Sequence, residues 1–153
     1  MLEIKSPGKI PKGGKKLFLG GSIEQGKATD WQKEVVVKLK DTNLTILNPR
    51  RDNWDKYNWK QSIDNPDFRS QVDWELSSQE SADIILMYFE PGTLSPVSMT
   101  ELGLFAKTGK LIVVCPDGFW RKGNIDIICK RYKIMQKNSI EEAIELIKRE
   151  LIK

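Results

Sequence analysis

The chain has 153 residues, 39% hydrophobic and 30% charged, with a formal net charge of +4 and no histidine. That suits one domain with a sizeable core, while the scattered basic residues give no stripe for a nucleic-acid polymer, no apolar run approaches the ~18 residues of a membrane span, and the N-terminus lacks a signal-peptide core, so a cytoplasmic protein away from the membrane is expected. Without histidine, His-based triads, His-ligated metals and imidazole acid–base chemistry are excluded; catalysis must use carboxylates, hydroxyls, Lys, Arg or backbone amides, and neither a metal nor a cofactor is expected.

Residues 1–15, rich in Lys, Pro and Gly, read as a flexible arm, and residues 16–153 as a single domain. KLFLGG, Lys16 to Gly21, is an apolar run ending on two glycines, the pattern of a strand meeting a tight turn. TDWQKEVVVKLKDT then sets Trp31, Val35 and Leu39 at helical spacing, with Thr29 and Gln32 spaced as a capping box. Leu44 to Leu47 is a second strand, stopped by NPRR. Asp52 to Pro66 is too polar for core, yet it holds Trp54, Tyr57 and Trp59. A helix from Phe68 follows, with Phe68, Val72 and Leu76 on one face and Glu75 beside them. DIILMYF, Asp83 to Phe89, is continuously apolar, as a central parallel strand covered on both faces must be. The loop PGTLSPVSMTE leads into a helix from about Ser98 to Thr108, ended by Gly109. LIVVC is a fourth strand; its Cys115, like Cys129 in the helix NIDIICKR, reads as a buried thiol. YKIM is a fifth strand, and SIEEAIELIKRELI a closing amphipathic helix.

Five strands alternating with helices predict a doubly wound, mostly parallel α/β sheet of order 2-1-3-4-5, a flavodoxin- or Rossmann-like three-layer sandwich. In such a sheet, ligands bind beyond the carboxyl ends of the strands at the switch point. The loops placed there are GGSIEQG and EPGTLSPVSMTE.

Each candidate residue has a structural and a functional reading. Gly20 and Gly21 permit a tight turn or a close ligand approach; the dinucleotide pattern G-x-G-x-x-G is absent. Gly92 belongs to the loop that ends the central strand. Ser98 and Glu101 have the S-x-x-E spacing of a capping box, yet they sit at the expected crevice behind the hydroxyls of Thr93, Ser95 and Ser98. There the field of the helix N-terminus would keep Glu101 ionised, as attack on an anomeric carbon requires. Glu75 is either a solvated helix residue or the second group that handles the proton. Asp83, at the opposite strand end, reads as structural. Trp54, Tyr57 and Trp59 are either a packed cover or a flap for a flat base. Asn48 could meet a ligand; Arg50 and Arg51 read as solvated or paired.

The segments FLGGSI, NPRRDNW, QVDWEL, ADIILMYFEPGTLSP and TELGLFAKTGK together resemble the nucleoside 2-deoxyribosyltransferase family, in particular its short bacterial and phage members, over roughly Leu17 to Pro116. The most specific part is E-L-G-x-x-x-x-x-G-K. The resemblance implies that Glu101 is the nucleophile that forms a covalent deoxyribosyl intermediate. It implies that Glu75, where the family usually has Asp, assists at the base, and that Phe18, Gly20, Gly21, Asn48, Trp54, Gly92, Ser95 and Ser98 lie around the substrate. The implied partners are a nucleoside or nucleotide, a free base, and further copies of the chain in a homo-oligomer with shared active sites. Phe18 replaces a Tyr that hydrogen-bonds the nucleophile in the family. Ser95 replaces an Asp that holds a sugar hydroxyl; related deoxynucleoside 5′-monophosphate N-glycosidases carry Ser there, which leaves a phosphorylated substrate open. The alternatives to a transferase are such a hydrolase, a catalytically silent nucleotide-binding module, and a glycohydrolase of another N-glycoside such as NAD.

Overall fold

The computed structural model describes residues 1–52, 56 and 58–152. Its strands are β1 (Leu2–Lys5), β2 (Lys16–Gly21), β3 (Thr45–Asn48), β4 (Ile84–Tyr88), β5 (Leu111–Val114) and β6 (Met135–Lys137). Its α-helices are α1 (Trp31–Lys38), α2 (Pro66–Ser81), α3 (Pro96–Phe105), α4 (Lys122–Tyr132) and α5 (Ile140–Leu151). The strands form one sheet of order β1-β3-β2-β4-β5-β6, and every neighbouring pair is parallel.

Alternation along the strands builds the three layers. Leu17, Leu19, Leu86, Ile112 and Val114 point to one face, where Trp31 and Val35 of α1 and Ile144 and Ile147 of α5 cover them. Phe18, Ile85, Met87, Leu111 and Val113 point to the other, against Trp74 of α2, Leu102 and Phe105 of α3, and Ile125 and Cys129 of α4. Both thiols are buried and unpaired by disulfides, as their apolar settings suggested.

The sheet has six strands where the sequence predicts five. The predicted order survives for those five; the addition is β1, inside the segment expected to be a loose arm. Leu2 to Lys5 pair in register with Thr45 to Asn48, and Ile4 packs on the second core. The strand is short, half-exposed and flanked by charge, as edge strands are, so it carries almost no apolar signal. β6 also begins later than YKIM suggests, because Lys133 takes a left-handed conformation that ends α4. The expected Thr29–Gln32 capping box does not form; Asp30 caps α1, accepting from Lys33 N at 3.1 Å.

Gly21 shows why the first long strand ends on glycine. Its φ is +121°, and a Cβ there would lie 2.1 Å from the carbonyl oxygen of Tyr88, its register partner in β4. Gly21→Ala is therefore expected to lose about 3 kcal/mol or more, a fall of roughly 10 °C in Tm, measurable by thermal denaturation. Gly20 is less constrained: its Cβ would meet the Phe18 ring at 3.3 Å.

Candidate active site

A cavity of about 350 Å³ opens beyond the carboxyl ends of β2 and β4, at the switch point. Ten of the residues that bound it decide its chemistry. Phe18, Gly20 and Gly21 form its floor, Ser95, Ser98 and Glu101 come from the α3 end, Glu75 and Gln71 from α2, and Glu24 and Trp59 from loops. The structure thus gathers Phe18, Gly20, Gly21, Glu75, Ser95, Ser98 and Glu101 around one space. Asn48 is buried outside the lining; its Nδ2 donates to Glu3 and its Oδ1 accepts from Arg50 N. Gly92 also lies outside, exposed, with φ +87° in the turn after β4. Trp54 and Tyr57 fall outside the described residues.

The helix carrying Glu101 begins earlier than the S-x-x-E spacing implies. Pro96 occupies its first turn, where a missing N–H costs nothing, and Ser95 precedes it in a left-handed conformation. Ser98 is therefore already helical and Glu101 lies beyond the first turn, so the two form no capping box. The favourable field of the helix end fades over that first turn. Glu101 is buried, and its pKa is pushed up to about 7, first by burial, then by the negative charge of Glu75, against a hydrogen bond donated by Gln79. The expectation that the helix field keeps Glu101 ionised is thereby corrected: burial raises this carboxyl until it titrates near neutrality.

Glu75 has the same character. Burial raises its pKa to about 7, opposed by a hydrogen bond from Gln71 and by the charge of Arg51. Gln71 Nε2 donates to Glu75 Oε1 at 2.7 Å and to Pro49 O at 3.1 Å. Gln71 Oε1 in turn accepts from Arg51 Nε at 2.6 Å and from Ser6 Oγ. Gln79 Nε2 donates to the backbone carbonyl of Glu75 at 3.3 Å and to Glu101 Oε2. Gln71, Glu75 and Gln79 fall four residues apart along α2, so they form one stripe on one face. Sequence reading missed both glutamines; the signal was that stripe of polar residues on a helix face that must be buried. Phe18 brings no hydroxyl to Glu101, and Gln79 supplies the donor instead.

The arginines are anchors rather than solvated charges. Arg50 donates to the carbonyls of Gly26, Ala28 and Thr29 and so ties down the loop after β2. The Arg51 guanidinium lies 4.7 Å from the ring centre of Trp59, on the cleft wall. At the other end, the hydroxyls of Ser22, Thr93 and Ser95 make a triangle with sides of 2.8, 2.8 and 2.9 Å. Glu24 Oε1 accepts from the backbone amides of Ser95 at 2.8 Å and Leu94 at 3.1 Å.

In chemical terms, two carboxyls that titrate near neutrality face one partly apolar cleft, each held by a glutamine amide. Such a pair can divide the work, one ionised and attacking, the other protonated and donating. No helix among the described residues is long and apolar enough to cross a membrane. A search of curated proteins finds no match. A family model described as "Nucleoside 2-deoxyribosyltransferase like" matches residues 14–119, a span that runs from β2 to the turn after β5 and contains both carboxyls. With that match over more than half its length and this cleft at its switch point, the chain belongs to the nucleoside 2-deoxyribosyltransferase-like family, whose chemistry is glycosyl transfer.

Proposed function

We propose that the protein cleaves the N-glycosidic bond of a 2′-deoxynucleoside and transfers the deoxyribosyl group to a second base. The carrying observation is the pair Glu101 and Glu75, both raised to about 7 and both on one cleft. Glu101, ionised, attacks the anomeric carbon. The bond from that carbon to the base nitrogen breaks, its electron pair goes to the nitrogen, and the carboxylic acid of Glu75 supplies the proton. An acceptor base then attacks the same carbon from the vacated side, Glu75 takes the proton back, and Glu101 leaves. Two displacements return the original anomeric configuration.

The lining supports this division. Trp59, Phe68 and Val72 give apolar walls on the α2 side for a flat base, while Ser95, Ser98 and Glu24 make the α3 side polar, as a sugar requires. Gln79 stands in for the hydroxyl absent at Phe18, which favours an active enzyme over a silent binding module.

The test is incubation of a deoxynucleoside with a different free base, followed by chromatography. A new deoxynucleoside is expected. Release of free deoxyribose with no exchanged product would move the reading to hydrolysis, and absence of any turnover would remove it.

A further inference from the structure

Ser95 leaves a phosphorylated substrate open on sequence grounds, because a serine hydroxyl can donate to a phosphate. The structure shows what that hydroxyl and its neighbours already do. A phosphate entering beside α3 would need the backbone amides before the helix and the nearby hydroxyls. Glu24 holds the amides: its Oε1 accepts from both Leu94 and Ser95. The hydroxyls hold one another. Thr93 Oγ1 gives its proton to the carbonyl of Glu90 at 2.8 Å, which leaves two protons for the three sides of the Ser22–Thr93–Ser95 triangle. Ser22 Oγ meanwhile accepts from Glu90 N at 2.9 Å. The triangle is thus short of protons before any ligand arrives.

Charge points the same way. Glu24 lines the cleft together with the Glu75–Glu101 pair, which holds one proton near neutrality, against Lys27 as the cation among its described lining residues. A phosphate would meet a carboxylate at the position where its donors should be, and like charges at close range repel. A neutral sugar hydroxyl meets the same carboxylate as an acceptor. Among the described residues only Oε1 of Glu24 is engaged, so the second oxygen remains to receive it. The loop that carries Glu24 is held for this: Glu24 and Gln25 have φ of 49° and 54°, and Arg50 fastens the carbonyls that follow.

We propose that Glu24 fills the anion position of the cleft and selects a deoxynucleoside with a free 5′-hydroxyl over its 5′-monophosphate. This rests on the proposed reaction for the identity of the ligand, but it is read by binding as well as by turnover. Calorimetric titration of the wild type with a deoxynucleoside and with its 5′-monophosphate is expected to favour the nucleoside about 100-fold. In Glu24→Gln the ratio is expected to shrink about tenfold or more, chiefly through tighter monophosphate binding. Glu24→Asn gives the same readout with a residue that tolerates the left-handed backbone, should the glutamine variant fold poorly. A wild type that binds the monophosphate as tightly as the nucleoside overturns the proposal, and so does a ratio unmoved in both variants. Selective binding without turnover would overturn the reaction and leave Glu24 its role. Turnover of monophosphate in preference to nucleoside would do the reverse, and binding of neither compound would overturn both.

Discussion

Glu101→Ala is expected to lower turnover about 10⁴-fold or more, because in the proposed reaction it removes the atom that bonds to the sugar and leaves only binding and proton transfer. Intact-mass measurement after acid quench during turnover is expected to show a deoxyribosyl adduct on the wild type and none on the variant. A variant that retains wild-type rates would sink the nucleophile assignment. Glu101→Gln separates this loss from any loss of fold, because linkage makes it a stabilising change above neutrality. The folded-state pKa of Glu101 is about 7, above its ordinary 4.5, so burying it in its protonated form contributes stability that is complete below 4.5 and lost as pH rises through 7. A glutamine does not titrate. Melting curves are therefore expected to show the variant above the wild type at pH 8 and level with it at pH 4, while activity is absent at both.

Glu75→Gln is the second large effect. The proposed step needs one proton on the pair: none on Glu101, one on Glu75. Both carboxyls are raised to about 7, so they titrate as a coupled pair, and the singly protonated form is most abundant near neutrality. The rate–pH profile of the wild type is therefore expected to be a bell: rising as the pair loses its first proton, falling as it loses the second. Glutamine at position 75 removes the acid and the like charge together. The alkaline limb is expected to vanish. The acid limb is expected to stay near its wild-type position, because Glu75 still carries its proton while Glu101 loses its own, and glutamine replaces one neutral group with another. The maximal rate is expected to fall about 100-fold, with a smaller loss for substrates whose base leaves without a proton. An unchanged bell would show that Glu75 does not carry the proton. The substitution keeps the length of the side chain and an oxygen that Gln71 Nε2 can still bond, so the geometry of the stripe is preserved.

The strand order and the position of the cleft were legible because they follow from apolar runs, and DIILMYF and LIVVC are long enough to be unambiguous. Glu101 was legible through the TELG motif, although its electrostatics were not. The spacing of Ser98 and Glu101 reads as a capping box only if the helix starts at Ser98, and Pro96 was the residue that said otherwise. Burial then reversed the expected direction of the pKa shift, a quantity that depends on what closes over a side chain rather than on its neighbours in the chain. Glu24 was invisible for a related reason. Nothing local connects it to Ser95, and the two meet only because the loop after β2 folds across the start of α3. Likewise, β1 could not be found by periodicity, since a four-residue strand on a sheet edge buries too little to leave a pattern.

That edge strand has an engineering consequence. Ser6, just past β1, shares the oxygen of Gln71 that Arg51 also uses, and Gly8 offers its carbonyl to the indole N–H of Trp74. Both contacts land on α2, the helix that presents Glu75 to the cleft. The family match begins only at residue 14. A trimmed chain or a fusion partner designed from the matched span alone would cut these tethers to the helix that carries Glu75, so the first eight residues are best kept as part of the cleft's support rather than treated as disposable.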